Sequence, residues 1–492
     1  MSRPVRNALI AAAVAAVLFL PSVRFGFAYD DSSVVLGHPH VTGHAWVDLL
    51  VSPYHAGTAA RVATGLYRPL TILSLALNHA ATGLHPWSYH LVNVLLHALV
   101  AALVYALGEA VGLPAFSALI GALVFAVHPV HVEPVANVAG RAELLSSAFG
   151  VGALVLYVRD RRRGRVPWIT VPLLTAAACF SKENAVTLLG IVLLWEIVSR
   201  APALTALKSV LVVLVPVAGY LAARLAVLGS LTLGPGAVTP VENPIVGLTG
   251  IPRAATVLAT VGRAAALVVT PVRLAPDYGL ADSVPSSTWL APGPLAGVAV
   301  LLIGAAACAW LWRRSPALAF LLGSAALAYS IVSNVFVVVG TILGDRLLYF
   351  PSVFACLLAG AAIDRLPRRA AAAASALAIA LLAVRAAVYL PQWRDDERLF
   401  AYAARVAPAS VRSIGSYGAL LARAGQLDAA RPLLDRAVAL APDFIPARLN
   451  RAAAEMVGGD LDAAEADARR VLALDPTDPV ARAQLAAIAA RR

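Results

Sequence analysis

The sequence is poor in charge and in sulfur. Asp, Glu, Lys and Arg make up 13% of its 492 residues, about half of the ~25% usual in soluble domains. Hydrophobic residues account for 60%, and the mean hydropathy is +0.78. That balance excludes an ordinary soluble globule, whose surface needs more charge. Only three cysteines occur, Cys179, Cys308 and Cys356. All sit in or beside apolar runs. They read as small packing residues, which excludes a disulfide framework and a cysteine metal cluster. Acidic residues number 27 against 39 basic ones, a net charge of +12. The excess does not indicate a nucleic-acid partner. The basic residues lie in short loops between apolar runs, where they set membrane topology.

What is present is a series of uncharged stretches of roughly 18–22 residues, enough to cross ~30 Å of hydrocarbon as helix. The pattern predicts an all-α polytopic bundle with eleven spans, near 8–21, 88–108, 114–128, 143–158, 166–180, 185–199, 208–228, 290–312, 316–336, 346–364 and 371–391. Arg3 and Arg6 open the chain. Arg159, Arg161, Arg162, Arg163 and Arg165 fill one loop, and Arg200 with Lys208, Arg313 with Arg314, and Arg365, Arg368 and Arg369 fill the others on that side. The intervening loops hold single basic residues, Arg141, Lys182 and Arg346. The positive-inside rule makes the first set cytoplasmic. The N-terminus is then cytoplasmic and the C-terminus extracytoplasmic. This requires 229–289 to be one extracytoplasmic segment. Its apolar stretch 253–272 is interrupted by Arg253 and Arg263, and is expected to lie on the membrane as an interfacial helix. The first span reads as an uncleaved anchor, because Pro21-Ser22-Val23-Arg24-Phe25 offers no small-x-small site; a cleaved signal peptide is the alternative. The high Ala and Arg content suggests a GC-rich bacterium, hence the inner membrane.

The division expected is a membrane core over 1–391, including a first extracytoplasmic loop 22–87, and a soluble tail over 392–492. The tail repeats. Pro408, Pro442 and Pro476 recur at a constant interval, as do Gly425 with Gly459 and Ala429 with Ala463. A period of about 34 residues containing Gly-x-Leu-Asp-Ala-Ala is the tetratricopeptide (TPR) signature. Two units, 411–444 and 445–478, follow a half unit at 397–408 and precede a capping helix at 479–492. Since each repeat mainly contacts its neighbours, core and tail read as separable modules.

Ionisable groups at membrane depth are costly and usually mark function. Here they gather at the predicted extracytoplasmic ends of the spans: Asp30 and Asp31; His128, His131 and Glu133; Arg141 and Glu143; Lys182 and Glu183; Arg224; Asp345 and Arg346. Each has a plainer role available. The aspartate pair could cap a helix, Lys182 and Glu183 could form a local ion pair, Arg68 could anchor a re-entrant helix, and His97 could simply be packed. A single His-x-x-His is too weak to assign a metal, and none is expected.

The stretches FGFAYDDSSVV, YRPLTILSLALN, HPVHVEPVANVAGRAELLSS, FSKENAVTLLG, LAPDY, DRLLYFPS and WRDDERLF, followed by the repeats, run through almost the whole chain. In these the sequence resembles the transmembrane-and-TPR-containing protein O-mannosyltransferases. The resemblance implies a GT-C-type membrane core. It implies a polyprenyl-phosphate sugar as donor, with mannose the expected sugar, and no cofactor. The acceptor implied is a Ser or Thr hydroxyl of an extracytoplasmic protein, with the TPR groove available to bind it. A carboxylate then serves as general base and basic side chains hold the phosphate. The family motif points to Asp30 as base with Asp31 in reserve. Arg141, Lys182, Arg224 and Arg346 become phosphate ligands, and His128, His131, Glu133 and Glu183 orient sugar or acceptor. Two departures stand out: the tail holds about two and a half repeats where animal members carry more, and Glu143 replaces the aspartate of the family's Gly-Arg-Ala-Asp pattern. The rivals are a scaffold recruiting partners through its tail, and a transporter. A transporter would more often bury charge at mid-bilayer, where this sequence has almost none.

Overall fold

The computed structural model describes residues 1–43, 46–58, 65–233, 238–279 and 285–492. Among them all regular structure is helical, with no strand. Eight helices among the described residues are long and apolar enough to cross a membrane: Arg3–Arg24, Pro86–Val111, Val138–Arg162, Ala203–Leu228, Gly250–Val269, Pro292–Arg314, Asp345–Ile363 and Arg368–Trp393. Ala115–Val127 and Pro129–Ala136 make a ninth if taken together, bent by 50°. The bend falls where Pro129 removes a backbone donor.

Each of the eleven predicted ranges holds a helix, but besides Ala115–Val127, at 13 residues, three more fall short of span length. Thr170–Ser181 has 12 residues, Leu188–Val198 has 11 and Pro316–Ser330 has 15. At 1.5 Å per residue, 12 residues cover only about 18 Å. The helices stop early because the chain breaks at the polar Lys182-Glu183-Asn184 turn and at Ser330. Within the range expected to be interfacial, Gly250–Val269 has the length and hydropathy of a span. Its arginines are accommodated within the protein: Arg263 stacks on Tyr278, 4.7 Å from the ring centroid, and Arg253 reaches the Asn334 carbonyl at 3.5 Å.

Small residues let the helices approach closely, as membrane packing requires. A methyl on Gly360 would fall on the Ser117 carbonyl, and one on Gly297 on the Leu258 carbonyl. The outer surface is apolar, with Leu301, Leu302 and Ile303 all more than half exposed, as a surface facing lipid must be. Helix Arg141–Arg162, at 22 residues, is about 33 Å long. At its far end Arg161 binds Glu196 through Nε at 2.7 Å and Nη2 at 3.0 Å. At its near end the candidate site residues collect.

Beyond Trp393 come six helices: Asp396–Val406, Val411–Arg423, Leu427–Leu440, Ile445–Gly458, Leu461–Leu474 and Pro479–Ala489. Gly425 and Gly459, at φ +77° and +82°, make equivalent left-handed turns that other residues adopt only with strain. This tail makes contacts with the rest of the chain beyond those between its own repeats. Gly26 donates to the Arg394 carbonyl at 3.0 Å, Ser410 to Asp277 at 2.6 Å, and Arg273 to the Val406 carbonyl at 3.0 Å. Val241 packs among Val411, Ile414, Ala437 and Phe444.

Candidate active site

Just past the first helix the chain makes a strained turn. Tyr29 has φ +58°, uncommon for a residue with a bulky side chain. The conformation is held from the tail side. Tyr29 N–H donates to Asp396 at 2.7 Å, and its ring meets Trp393 and Phe400 at 6.0 Å each. The turn separates the next two carboxylates. Asp31 points inward and is fully buried, accepting from the backbone N–H groups of Ala28 at 3.1 Å and Ala139 at 2.8 Å. Burial pushes its carboxyl up to about 7, with those N–H groups pulling the other way. Asp31 is therefore a brace that joins this loop to the 138–140 turn. Asp30 stays partly exposed and faces a cavity. Among the described residues its side chain has no hydrogen-bond partner.

That cavity is about 270 Å³. Val186, Leu221, Ile331, Val332 and Val338 are among its apolar lining, Arg68, Lys182, Arg224, Arg346 and Arg412 bring five basic groups to it, and Glu143, Glu183 and Glu242 line it with Asp30. Three of the five are matched with a carboxylate. Arg68 grips Glu183 with two bonds of 2.8 and 2.6 Å. Lys182 is paired with Glu143, and Arg346 with Glu133 through its guanidinium and through its backbone N–H at 3.0 Å. Burial raises the Glu183 carboxyl, but attraction and hydrogen bonds from Arg68 outweigh it and bring it down to about 2. Burial, then Arg68, pushes the Lys182 ammonium well below the ordinary lysine range. Arg224 differs from these three. Two of its nitrogens donate to the carbonyls of Gly65 at 2.6 Å and Leu231 at 3.3 Å, while Nη1 is buried with no partner. His55 also lines the cavity with an unpartnered Nδ1. Burial lowers its imidazole to about 4, opposed by the charge of Asp30.

The structure thus brings together Asp30, Lys182, Glu183, Arg224 and Arg346, and sets other predicted residues elsewhere. Arg141 is fully buried away from the cavity. Its guanidinium is spent on Asn93 at 3.0 Å, Asn78 at 3.0 Å and the carbonyls of Ser74 and Tyr89 at 3.2 and 2.9 Å. It locks three helices together, spends four of its five N–H donors inside the protein, and does not line the cavity. His128 bonds the Val268 carbonyl at 2.9 Å, and His131 bonds the Phe125 carbonyl and Ser352 at 2.8 Å each. Neither lines the cavity. Glu133 lies behind Arg346 and positions it. Sequence reasoning missed Arg68 as a cavity residue, although Tyr-Arg-Pro-Leu was in view. It also missed Arg412, whose place beside Asp30 nothing local in the tail announces.

These features define a polytopic, all-helical membrane protein with a charged cavity where several helix ends meet. No protein-family model matches the sequence. The chain is similar in sequence to the TMTC protein O-mannosyl-transferases. It is 27% identical to human protein O-mannosyl-transferase TMTC4 over 86% of this chain and 64% of that protein. It is 27% identical to the Caenorhabditis elegans protein O-mannosyl-transferase F38B6.6 over 90% of this chain and 64% of that one. Drosophila melanogaster Tmtc1 is 36% identical, over 38% of this chain and 22% of its own length. The chain therefore spans under two thirds of the length of these relatives. Among solved structures it is similar to ArnT from Cupriavidus metallidurans bound to undecaprenyl phosphate, at 16% identity and a TM-score of 0.44 over 94% of this chain and 79% of that one. It is also similar to the apo oligosaccharyltransferase of Archaeoglobus fulgidus, at 15% identity and a TM-score of 0.44 over 80% and 56%.

Proposed function

We propose that this chain is a GT-C-type membrane glycosyltransferase that moves a sugar, mannose by analogy with its relatives, from a polyprenyl phosphate to a Ser or Thr hydroxyl of a protein. The observation that carries this reading is Asp30, a carboxylate without a hydrogen-bond partner among the described residues, facing a cavity lined by both cationic and apolar side chains. Apolar lining suits a lipid chain and cationic lining its phosphate. In this reading the cavity opens on the extracytoplasmic side of a bacterial inner membrane, the N-terminus is cytoplasmic, and the tail is a TPR domain.

The chemistry is a single displacement. Asp30 takes the proton of the acceptor hydroxyl. The hydroxyl oxygen bonds to the anomeric carbon from the face opposite the phosphate. The bond between that carbon and the phosphate oxygen breaks, and the polyprenyl phosphate leaves with the electron pair, inverting the centre. Arg224 is the first phosphate ligand because its Nη1 is buried and free. Arg68, Lys182 and Arg346 supply positive potential but are tied to Glu183, Glu143 and Glu133. The glutamates hold these cations in place around the cavity.

Asp30→Asn removes the base while keeping its size. Transfer from a polyprenyl-phosphate sugar to a Thr peptide is expected to fall by about 10²–10⁴-fold, with donor binding little changed. Arg224→Ala is expected to weaken donor binding as well as turnover. Full transfer by Asp30→Asn would remove the base from the mechanism and leave the cavity a binding site only.

A further inference from the structure

A second pocket, about 230 Å³, lies on the other side of Asp30, against the tail. Its walls come from both parts of the chain. Tyr29, Asp30, Ser32 and Asp277 belong to the membrane core; Asp396, Phe400, Arg412, Ser413 and Ser416 belong to the tail. Tyr29, Asp30 and Arg412 also line the larger cavity, so the two spaces share one partition. The Arg412 guanidinium lies 6.0 Å from the Tyr29 ring centroid, a cation–π contact that fixes it there.

The pocket's polar atoms are partly unused. Ser413 is 1% exposed, and its hydroxyl has no partner. Asp277 spends one oxygen on Ser410 and Asp396 one on the Tyr29 N–H; the second oxygen of each has no hydrogen bond among the described residues. A buried hydroxyl left without a partner costs free energy unless a ligand supplies one. Three carboxylates, Asp30, Asp277 and Asp396, face one guanidinium, Arg412, so the pocket favours a ligand that donates hydrogen bonds and carries positive charge. In-line displacement also needs the acceptor to approach from the side opposite the departing phosphate, and this pocket lies across Asp30 from the cationic cavity.

We propose that this pocket, half core and half tail, is the acceptor subsite and selects a hydroxyl-bearing peptide flanked by basic residues. The assignment to an acceptor rests on the transferase reading above; the binding preference does not. It puts acceptor recognition at the first two tail helices, Asp396–Val406 and Val411–Arg423, and not in the groove of the repeats.

The test uses the full chain in lipid nanodiscs and two labelled peptides, a Thr flanked by lysines and a Thr flanked by glutamates, followed by fluorescence anisotropy. The lysine peptide is expected to bind at least about tenfold more tightly. Ser416→Trp, which fills the pocket from a partly exposed position, and Asp277→Asn are each expected to weaken it by about tenfold. Equal binding of both peptides, or binding indifferent to both substitutions, overturns the proposal. Because Ser416→Trp could disturb the tail, its unfolding temperature is measured alongside, and Asp277→Asn provides the independent variant. Selective binding without any sugar transfer would uphold the pocket and sink the transferase reading. Transfer abolished by Asp30→Asn with no peptide selectivity would do the reverse.

Discussion

Two neighbouring aspartates have opposite fates because of one backbone angle. The left-handed turn at Tyr29 sends Asp31 inward to two backbone N–H groups and leaves Asp30 at the cavity. Arg141 makes the same point from the other direction. Arg141→Ala is expected to act on stability, because it strands the amide oxygens of Asn93 and Asn78 that were bonded inside the protein. Each stranded group costs about 1–3 kcal/mol, so detergent-solubilised protein should unfold at a markedly lower temperature. A variant of normal stability with only donor affinity lost would restore Arg141 to the phosphate site. Glu183 gives a pH signature. Its carboxyl is depressed to about 2 when folded, against about 4.3 unfolded. A depressed acid contributes stability above the unfolded value and loses it as pH falls through the folded one. Unfolding temperature is therefore expected to decline between about pH 4 and pH 2, and Glu183→Gln should reduce that slope.

At the scale of elements, the bundle depends on close backbone approach. Helices Ala115–Val127 and Tyr349–Ile363 meet at Gly121 and Gly360, where an added methyl would strike backbone atoms of the opposite helix. Backbone cannot move aside as a side-chain tip can. Gly360→Ala is expected to destabilise by about 1–3 kcal/mol through overpacking, measurable as a lower unfolding temperature. Gly164→Leu serves as a control for space alone, since nothing lies within 4 Å of its Cβ position; any loss there reflects its positive φ. Helix breaks matter as much as helices. Thr170–Ser181 ends early because Lys182 turns into the cavity with an extended φ of −159°, and the short helix that results is what brings Lys182 and Glu183 to the site.

For the whole molecule, the decisive feature is the docked tail. A chain ending at residue 409 loses the Ser410–Asp277 bond, uncovers Val241 and removes Arg412 from both spaces beside Asp30. Such a truncation is expected to insert in membranes, to unfold at a lower temperature than the full chain, and to lose transfer although Asp30 is intact. Transfer at the full-length rate would make the tail an accessory.

The sequence by itself determined the class of the molecule. Hydrocarbon length and the scarcity of charge specify membrane helices, and a 34-residue spacing of Gly and Pro sets the rhythm of the tail, because these signals are local and periodic. It also marked Asp30, Lys182, Glu183, Arg224 and Arg346, since charge beside an apolar run stands out. It could not tell a cavity charge from a buried structural one. Arg141, His128 and His131 carry the same local signal as Arg224, and only the partners they find in other helices separate them. Nor could it join Arg412 to Asp30, residues nearly four hundred positions apart. They line the same two pockets because the tail folds back onto the loop after the first helix, and the tertiary structure alone decides it.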